Sequence, residues 1–350
     1  MAYRFDFRPY KRQFARPLVT NHGSWDIRAG IILRLQDGMG RVGWGEIAPI
    51  SWFGSETLEQ AVDFCRQFSQ EITVEEISSI PDTLTACQFG FESALGRREG
   101  GKEGRRDGVM EGRRDGNQKC WGIGDFLKVN APLFSLPHCG LLPTGEAALT
   151  AGENLWNQGY RTVKWKIGVD AIARELTIFH KLIQNLPVSA TLRLDANGGL
   201  SYEQAKLWLE NCDEINNCES SPKIEFIEQP LPVGELQSML TLSRDYQTAI
   251  ALDESVATLN QLIGCYQQGW RGIFVIKPGI AGFPSRLRQF CQQHQIDAVF
   301  SSVMETAIGR QAALQLAQEL TLKPRAVGFG INHWFNEDEE TWLQQLWKNL

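Results

Sequence analysis

Five charged residues, Lys166, Asp195, Glu228, Asp253 and Lys277, stand at the ends of short apolar runs, at successive intervals of 29, 33, 25 and 24 residues. Each interval is close to the length of one strand, loop, helix and loop, so the pattern predicts a repeating β/α unit. The apolar runs cover residues 161–167, 191–194, 224–227, 248–252 and 272–276. Ionisable groups at the exits of consecutive parallel strands are the arrangement by which an α/β barrel keeps its chemistry on one face.

From residue 141 onward, strand and helix signals alternate eight times, with helices predicted over 146–158, 171–186, 201–211 and 304–319 and a last strand over 325–329. Eight units imply a closed barrel of about 250 residues. A doubly wound open sheet is the rival, but it needs a glycine-rich phosphate turn after its first strand, and Pro143-Thr144-Gly145-Glu146 is not one. The expected fold class is therefore α/β, a modified TIM barrel spanning 136–330, with an α+β capping domain over 1–135 and a C-terminal segment, 331–350, packing back on the cap. Within the cap, alternation over 3–14 and 27–36 predicts antiparallel strands, and Asp37-Gly38 with Gly40 predicts the turn to Val42-Gly43-Trp44-Gly45-Glu46. A helix is expected over 56–71, another over 81–95, and an amphipathic one over 337–347. Residues 15–24 and 51–54 read as loops suited to a lid. The segment 96–119 repeats Glu-Gly-Arg-Arg-Asp-Gly at 103–108 and 111–116, and its charge and glycine content predict a disordered surface insertion.

A net charge of −6 with five histidines gives no basic surface for nucleic acid, so a small anionic substrate must be met by local cations. The eight cysteines form no Cys-x-x-Cys pair, as expected of packing residues in a reducing cytosol. No apolar run approaches the 18 or so residues of a membrane span, and the first residues lack the apolar core of a signal peptide. A soluble, cytoplasmic protein is the expectation.

Residues two apart in a strand share a face, so Lys164 and Lys166 project together while Trp165 projects oppositely. In a barrel the shared face is the interior, where an ammonium must meet an anion or lose its proton. Taken singly, Asp195 reads as a turn residue and Asp253 as a helix cap. Taken with Glu228, they offer three carboxylates from three successive strands, with no histidine or cysteine beside them. An all-oxygen set selects a hard divalent cation, Mg²⁺ first and Mn²⁺ second. A dication between two lysine ammoniums suits removal of a proton α to a carboxylate, because the negative charge develops on the carboxylate oxygens. The base must be a neutral lysine, and a neighbouring ammonium such as Lys164 favours that state in Lys166.

The segments Val163-Lys164-Trp165-Lys166, Arg193-Leu194-Asp195-Ala196-Asn197, Phe226-Ile227-Glu228-Gln229-Pro230, Leu252-Asp253-Glu254-Ser255, Val275-Ile276-Lys277-Pro278 and Phe300-Ser301-Ser302-Val303-Met304-Glu305 together resemble the enolase superfamily, and within it the o-succinylbenzoate synthases. The resemblance spans nearly the whole chain outside 96–119. It implies that Asp195, Glu228 and Asp253 bind Mg²⁺, that Lys166 removes the α proton, and that Lys277 stabilises the enediolate from the opposite face. Lys164 would sit between the base and the substrate carboxylate. The implied reaction is a syn dehydration of a cyclohexadiene carboxylate to o-succinylbenzoate, a step of menaquinone or phylloquinone synthesis. Asn197, Ser301, Ser302, Arg193 and Gly328 match positions near substrate, and Arg16 and His22 are further candidates in the lid. N-succinylamino acid racemisation is the alternative activity, since the same lysine pair serves it. Dipeptide epimerisation is set lower because Gly328-Phe329-Gly330-Ile331 carries no acid, and Lys277 disfavours the mandelate type, which uses a His-Asp pair there. A non-catalytic scaffold would be expected to have lost a ligand or a lysine, and none is lost.

Overall fold

The apolar alternation of the first residues builds a four-stranded antiparallel sheet from β1 (Ala2–Thr20), β2 (Gly23–Gln36), β3 (Val42–Ile47) and β4 (Glu71–Thr73), in the order β3-β2-β1-β4. The computed structural model describes residues 1–20, 23–96, 136–330, 334–335 and 337–348. The turn between β2 and β3 is held by Asp37, whose Oδ1 accepts hydrogen bonds from the backbone N–H groups of Met39 and Arg41 at 3.0 Å each. Most of 15–24, expected as a loop, is instead strand, because β1 and β2 extend as one long ribbon. Its composition had a local cause: the register shifts between Gln13 and Leu18, and Pro17, with no N–H to give, falls inside that break.

Two helices cover one face of this sheet. Leu58–Arg66 begins at a capping box between Thr57 and Gln60, and ends sooner than the expected 71 because the chain turns back to pair as β4. Thr85–Gly96 lies so close to β3 that a Cβ on Gly45 would come within 2.0 Å of the Gly90 carbonyl oxygen. Only a residue without a side chain fits that helix-to-strand approach.

The second sheet is parallel, with β5 (Cys139–Leu141), β6 (Thr162–Lys166), β7 (Thr191–Asp195), β8 (Lys223–Glu228), β9 (Ala249–Leu252), β10 (Ile273–Ile276) and β11 (Ala298–Phe300) side by side in chain order. The predicted last strand is reduced to bridges at Val327 and Gly328, yet these complete the ring. Val327 N–H donates to Pro137 O at 2.8 Å, and Val327 O accepts from Cys139 N–H at 2.9 Å. On the other side Gly328 N–H donates to Phe300 O at 2.8 Å, and its carbonyl accepts from Ser302 N–H at 3.0 Å. Outward residues such as Trp165 pack beneath the helices against Trp208 and Phe179. Phe226, Ala251, Ile273, Val275 and Val299 form a separate interior cluster.

The C-terminal helix, Glu339–Lys348, packs on the cap sheet through Leu343 against Tyr10, Ile32 and Trp44. Glu339 ties three parts together, accepting from Arg12 of β1, Arg310 and the backbone N–H of Ala307. Among the described residues no helix is long and apolar enough to cross a membrane. Apart from Gly96, which ends its helix, the 96–119 segment lies outside the described residues, as does His22.

Candidate active site

Parallel pairing puts Lys166 beside Asp195, Asp195 beside Glu228, and Glu228 beside Ala251, so one rung crosses four strands at their C-terminal ends. Lys164 and Arg193 form the rung below. Trp165 is fully buried on the opposite face, while both lysines are half-buried on the interior face, as the two-residue repeat requires. Asp253 follows β9 and Lys277 follows β10. Lys166 and Lys277 thus bracket the three strands that present the carboxylates.

Lys164 Nζ lies 2.7 Å from Asp195 Oδ2 and 3.0 Å from Glu228 Oε1. Burial disfavours its charge, but Asp195, Glu228 and Asp253 outweigh that effect and hold its pKa well above the ordinary lysine value. Lys166 makes no ion pair or hydrogen bond among the described residues. Its pKa is lowered, by burial first and by the Lys164 charge as well, against an opposing pull from Asp195. Burial pushes Glu228 up to about 8 and Asp253 to about 6, with neighbouring carboxylates adding to both and lysines opposing. Glu254 beside them is raised as well, again by burial first, so the three shifts share the cost of holding carboxylate charge away from water.

Lys277, nine-tenths buried, pairs with Asp253, and its ammonium lies 4.0 Å from the centre of the Phe53 ring. Phe53 belongs to the cap, in a single turn of 3-10 helix, Ser51–Phe53, closed by Gly54 at φ 111°. Trp52 beside it meets Trp25 of β2 edge to face at 5.0 Å. The 51–54 segment therefore reaches Lys277 at the C-terminal end of the barrel. Arg16, the other lid candidate among the described residues, is exposed on β1, its guanidinium 4.9 Å from the centre of the Trp334 ring.

The donor set suits a hard cation. Three carboxylates share one buried end of the barrel, burial raises the pKa of Glu228 and Asp253, and all donors are oxygen. Among the described residues no three acidic groups already close on one ion-sized point. Lys164 lies between Asp195 and Glu228, and Lys277 holds Asp253, so the ammoniums stand where a dication would supply the charge.

Two residues fix these carboxylates. Gln229, fully buried at φ 38°, accepts from the N–H groups of Asp253 and Ser255 and donates to Ser255 Oγ at 2.8 Å, joining the ends of β8 and β9. Asn197, at φ 43°, donates from its backbone N–H to Asp195 Oδ1 at 3.1 Å and from Nδ2 to Glu254 Oε1 at 3.0 Å. Asn197 was expected near substrate, and its contacts here are to Asp195 and Glu254; Gln229 carried no expected role. Ser301 is bridged to Gly328, where a Cβ would lie 2.7 Å from Ser301 Oγ, so the bare glycine keeps that wall open. Ser302 Oγ donates to Glu305 at 2.9 Å. Arg193 departs from its expected place at the substrate. Only 2% exposed, it donates from Nε to Glu225 at 2.7 Å and from Nη1 to Ala326 O at 2.8 Å. Inward projection one rung lower makes it part of the floor, where Arg325 and Asp297 extend the same network.

Residues 147–343 match the family described as enolase C-terminal domain-like, and residues 7–97 match the MenC N-terminal domain. The o-succinylbenzoate synthase of Thermosynechococcus vestitus is 37% identical over 358 residues, covering 99% of each chain. This chain belongs to the o-succinylbenzoate synthase family. Its relative in Yersinia enterocolitica, another o-succinylbenzoate synthase, is 29% identical over 87% of this chain and 83% of its own. The crystal structure of the o-succinylbenzoate synthase from Thermosynechococcus elongatus BP-1, with Mg in the active site, superposes with a TM-score of 0.83 at 34% identity, covering 99% of this chain and 100% of that one. The L-Ala-D/L-Glu epimerase of Bacillus subtilis, at TM-score 0.73 and 19% identity over 96% of this chain and 91% of its own, shares the fold. The architecture is the family's modified TIM barrel with a capping domain.

Proposed function

We propose that this chain is an o-succinylbenzoate synthase that removes water from 2-succinyl-6-hydroxy-2,4-cyclohexadiene-1-carboxylate, forming 2-succinylbenzoate for menaquinone or phylloquinone synthesis. The observation that carries the assignment of roles is the pair of lysines with opposite surroundings on β6, Lys164 among carboxylates and Lys166 with a lowered pKa at the rung above. Lys166, whose lowered pKa favours the neutral amine, takes the proton α to the carboxylate. Lys277 stabilises the enediolate from across the site. Lys166, now charged, protonates the departing hydroxyl on the same face, so the C–H and C–O bonds break, water leaves and the ring becomes aromatic. Asp195, Glu228 and Asp253 would hold Mg²⁺, or Mn²⁺ in its place, which supplies Lewis-acid stabilisation of the carboxylate charge. Asn197 orients Asp195, and Ser301, Ser302 and Gly328 line the wall beside Lys277, with Arg193 supporting the floor. Phe53 closes that wall from the cap. On this reading residues 1–135 are the cap, 136–330 the barrel and 331–350 the segment that fastens them, working in the cytoplasm.

The test is an ultraviolet assay of the cyclohexadiene carboxylate with and without EDTA, run beside N-succinylamino acid racemisation on the same preparation. Fast dehydration that EDTA stops and Mg²⁺ restores is the expected result. Racemisation without dehydration overturns the substrate assignment while leaving the proton-abstraction roles standing.

A further inference from the structure

The strand β11 is only three residues long, and the chain leaving it turns sharply through Ser301–Thr306, with Met304 in the left-handed region at φ 60°, before the helix Ala307–Leu320. A short strand alone cannot fix such a turn. The backbone of Ser301 donates to Ile276 O at 2.9 Å, directly before Lys277, and that of Ser302 donates to Gly328 O. The two serines therefore sit between the strand carrying Lys277 and the last stave of the barrel.

Glu305, 1% exposed, is the group that shapes the turn. Its Oε2 accepts from Ser302 Oγ at 2.9 Å and from Val303 N–H at 2.6 Å, and Ser302 Oγ in turn accepts from Met304 N–H at 2.8 Å. Burial and the nearby Glu46 push the carboxyl up to about 7. The next residue, Thr306, is gripped from the cap: Glu46 of β3 accepts from the Thr306 backbone N–H and, at 2.5 Å, from its hydroxyl, while Tyr10 donates to the same carboxylate. A side chain at Gly309 would come within 2.9 Å of Glu46 Oε2, so the helix N-terminus admits this carboxylate only because position 309 is bare. Two buried carboxyls, one from each domain, thus hold the two ends of one active-site turn.

We infer that Glu305 is a positioning residue for the dehydration, acting through Ser302 to fix the wall beside Lys277, and that Glu46 anchors the other end of the same turn to the cap. The inference rests on the functional reading above and adds to it a residue that does not touch the reacting atoms. Misplacing a substrate wall by about 1 Å costs on the order of 10²-fold in rate.

The experiment is a double-mutant cycle of Glu305→Ala and Ser302→Ala in the Mg²⁺-loaded enzyme, with kcat and KM measured per folded molecule and Glu305→Gln as the conservative variant. Glu305→Ala is expected to lower kcat/KM by about 10²-fold. Ser302→Ala added to it is expected to cost no more than about twofold further, because the two act as one unit. Glu305→Gln, whose amide oxygen accepts the same two hydrogen bonds, is expected to recover most of the loss. If Glu305→Ala does not fold, Glu305→Gln and Glu305→Asp carry the comparison, the shorter acid being expected to fail where the amide succeeds. An unchanged kcat/KM in a merely less stable Glu305→Ala protein, equal activities of the Gln and Asp variants, or losses that simply add in the cycle overturn the inference alone. A wild-type enzyme without dehydration overturns the functional reading and this inference with it.

Discussion

Replacing Lys164 by Met should destabilise the metal-free protein and enlarge its response to Mg²⁺. The ammonium is shared by Asp195 and Glu228 at 2.7 and 3.0 Å, and its removal leaves two buried carboxylates facing each other. Breaking one side of a buried pair costs about 3–5 kcal/mol, and the low end, about 3, applies because the Lys164 side chain keeps 22% exposure. Unfolding entropy of roughly 2.1 cal/mol/K per residue gives about 0.7 kcal/mol/K for this chain, so the expected fall in Tm is about 4 °C. The measurement belongs at pH 9, above the value of about 8 to which burial pushes Glu228 when Lys164 is present, so that the wild-type pair is ionised. At pH 6 the gap should shrink, since a carboxyl that takes up a proton no longer needs the ammonium. Saturation with Mg²⁺ at about 100 times its Kd stabilises the wild type by about 2.7 kcal/mol, again about 4 °C. The variant should gain more, roughly twice as much, because no ammonium competes for the carboxylates. A thermal melt with EDTA and with Mg²⁺ decides it. A variant with wild-type Tm in EDTA, or with a Mg²⁺ increment no larger than wild type, refutes the claim that Lys164 stands in the place of the cation's charge.

Lys166→Ala should abolish dehydration while leaving Tm and Mg²⁺ affinity near wild type; in the wild type, kcat/KM should rise with pH through a limb below the ordinary lysine pKa, because burial and Lys164 lower that of Lys166, and a limb at or above the ordinary value would remove it as the base. Asp253→Asn should weaken Mg²⁺ in a calorimetric titration by at least tenfold, and an unchanged isotherm counts against the ligand set. Phe53→Ala should lower kcat/KM by about tenfold, the worth of one partly desolvated cation–π contact, with little change in Tm; unaltered kinetics would mean that the cap loop does not act on Lys277.

The barrel was legible because its signal is local and repeated. Apolar runs recur at the spacing of one β/α unit, each ending in a charge, and the two-residue strand period alone separates Lys164 and Lys166 from Trp165. The same period placed Arg193 inside the barrel but could not say what it would meet there. Its partner Glu225 falls at an irregularity in the pairing of β7 with β8, which no spacing rule announces. Contacts between distant segments were equally silent. Phe53 meets Lys277 across the two domains, and Glu46 meets Thr306 across 260 positions of sequence. Gly43-Trp44-Gly45-Glu46 marked the end of a cap strand, but no spacing rule pointed from Glu46 to Thr306. The 15–24 segment shows the reverse failure, since its Pro, Asn, His and Gly suggested a loop where β1 slips register at Pro17 and continues as strand.

The division of labour within Lys164-Trp165-Lys166 follows from depth rather than residue type. Both amines start from the same intrinsic basicity, both are drawn down by burial, and both project into one interior. Lys164 is surrounded by Asp195, Glu228 and Asp253, whose summed field outweighs its desolvation and keeps it charged. One rung nearer the exit, Lys166 feels chiefly Asp195 as an attractive charge and feels Lys164 itself as a repulsive one. The deeper lysine thus helps to deprotonate the shallower. A cation held by the three carboxylates would extend the same logic, since it neutralises the field that restrains Lys166 and adds its own repulsion. Metal binding and base activation are then coupled through one set of carboxylates. Loss of the cation should cost the base that added repulsion, while burial and Lys164 go on lowering its pKa.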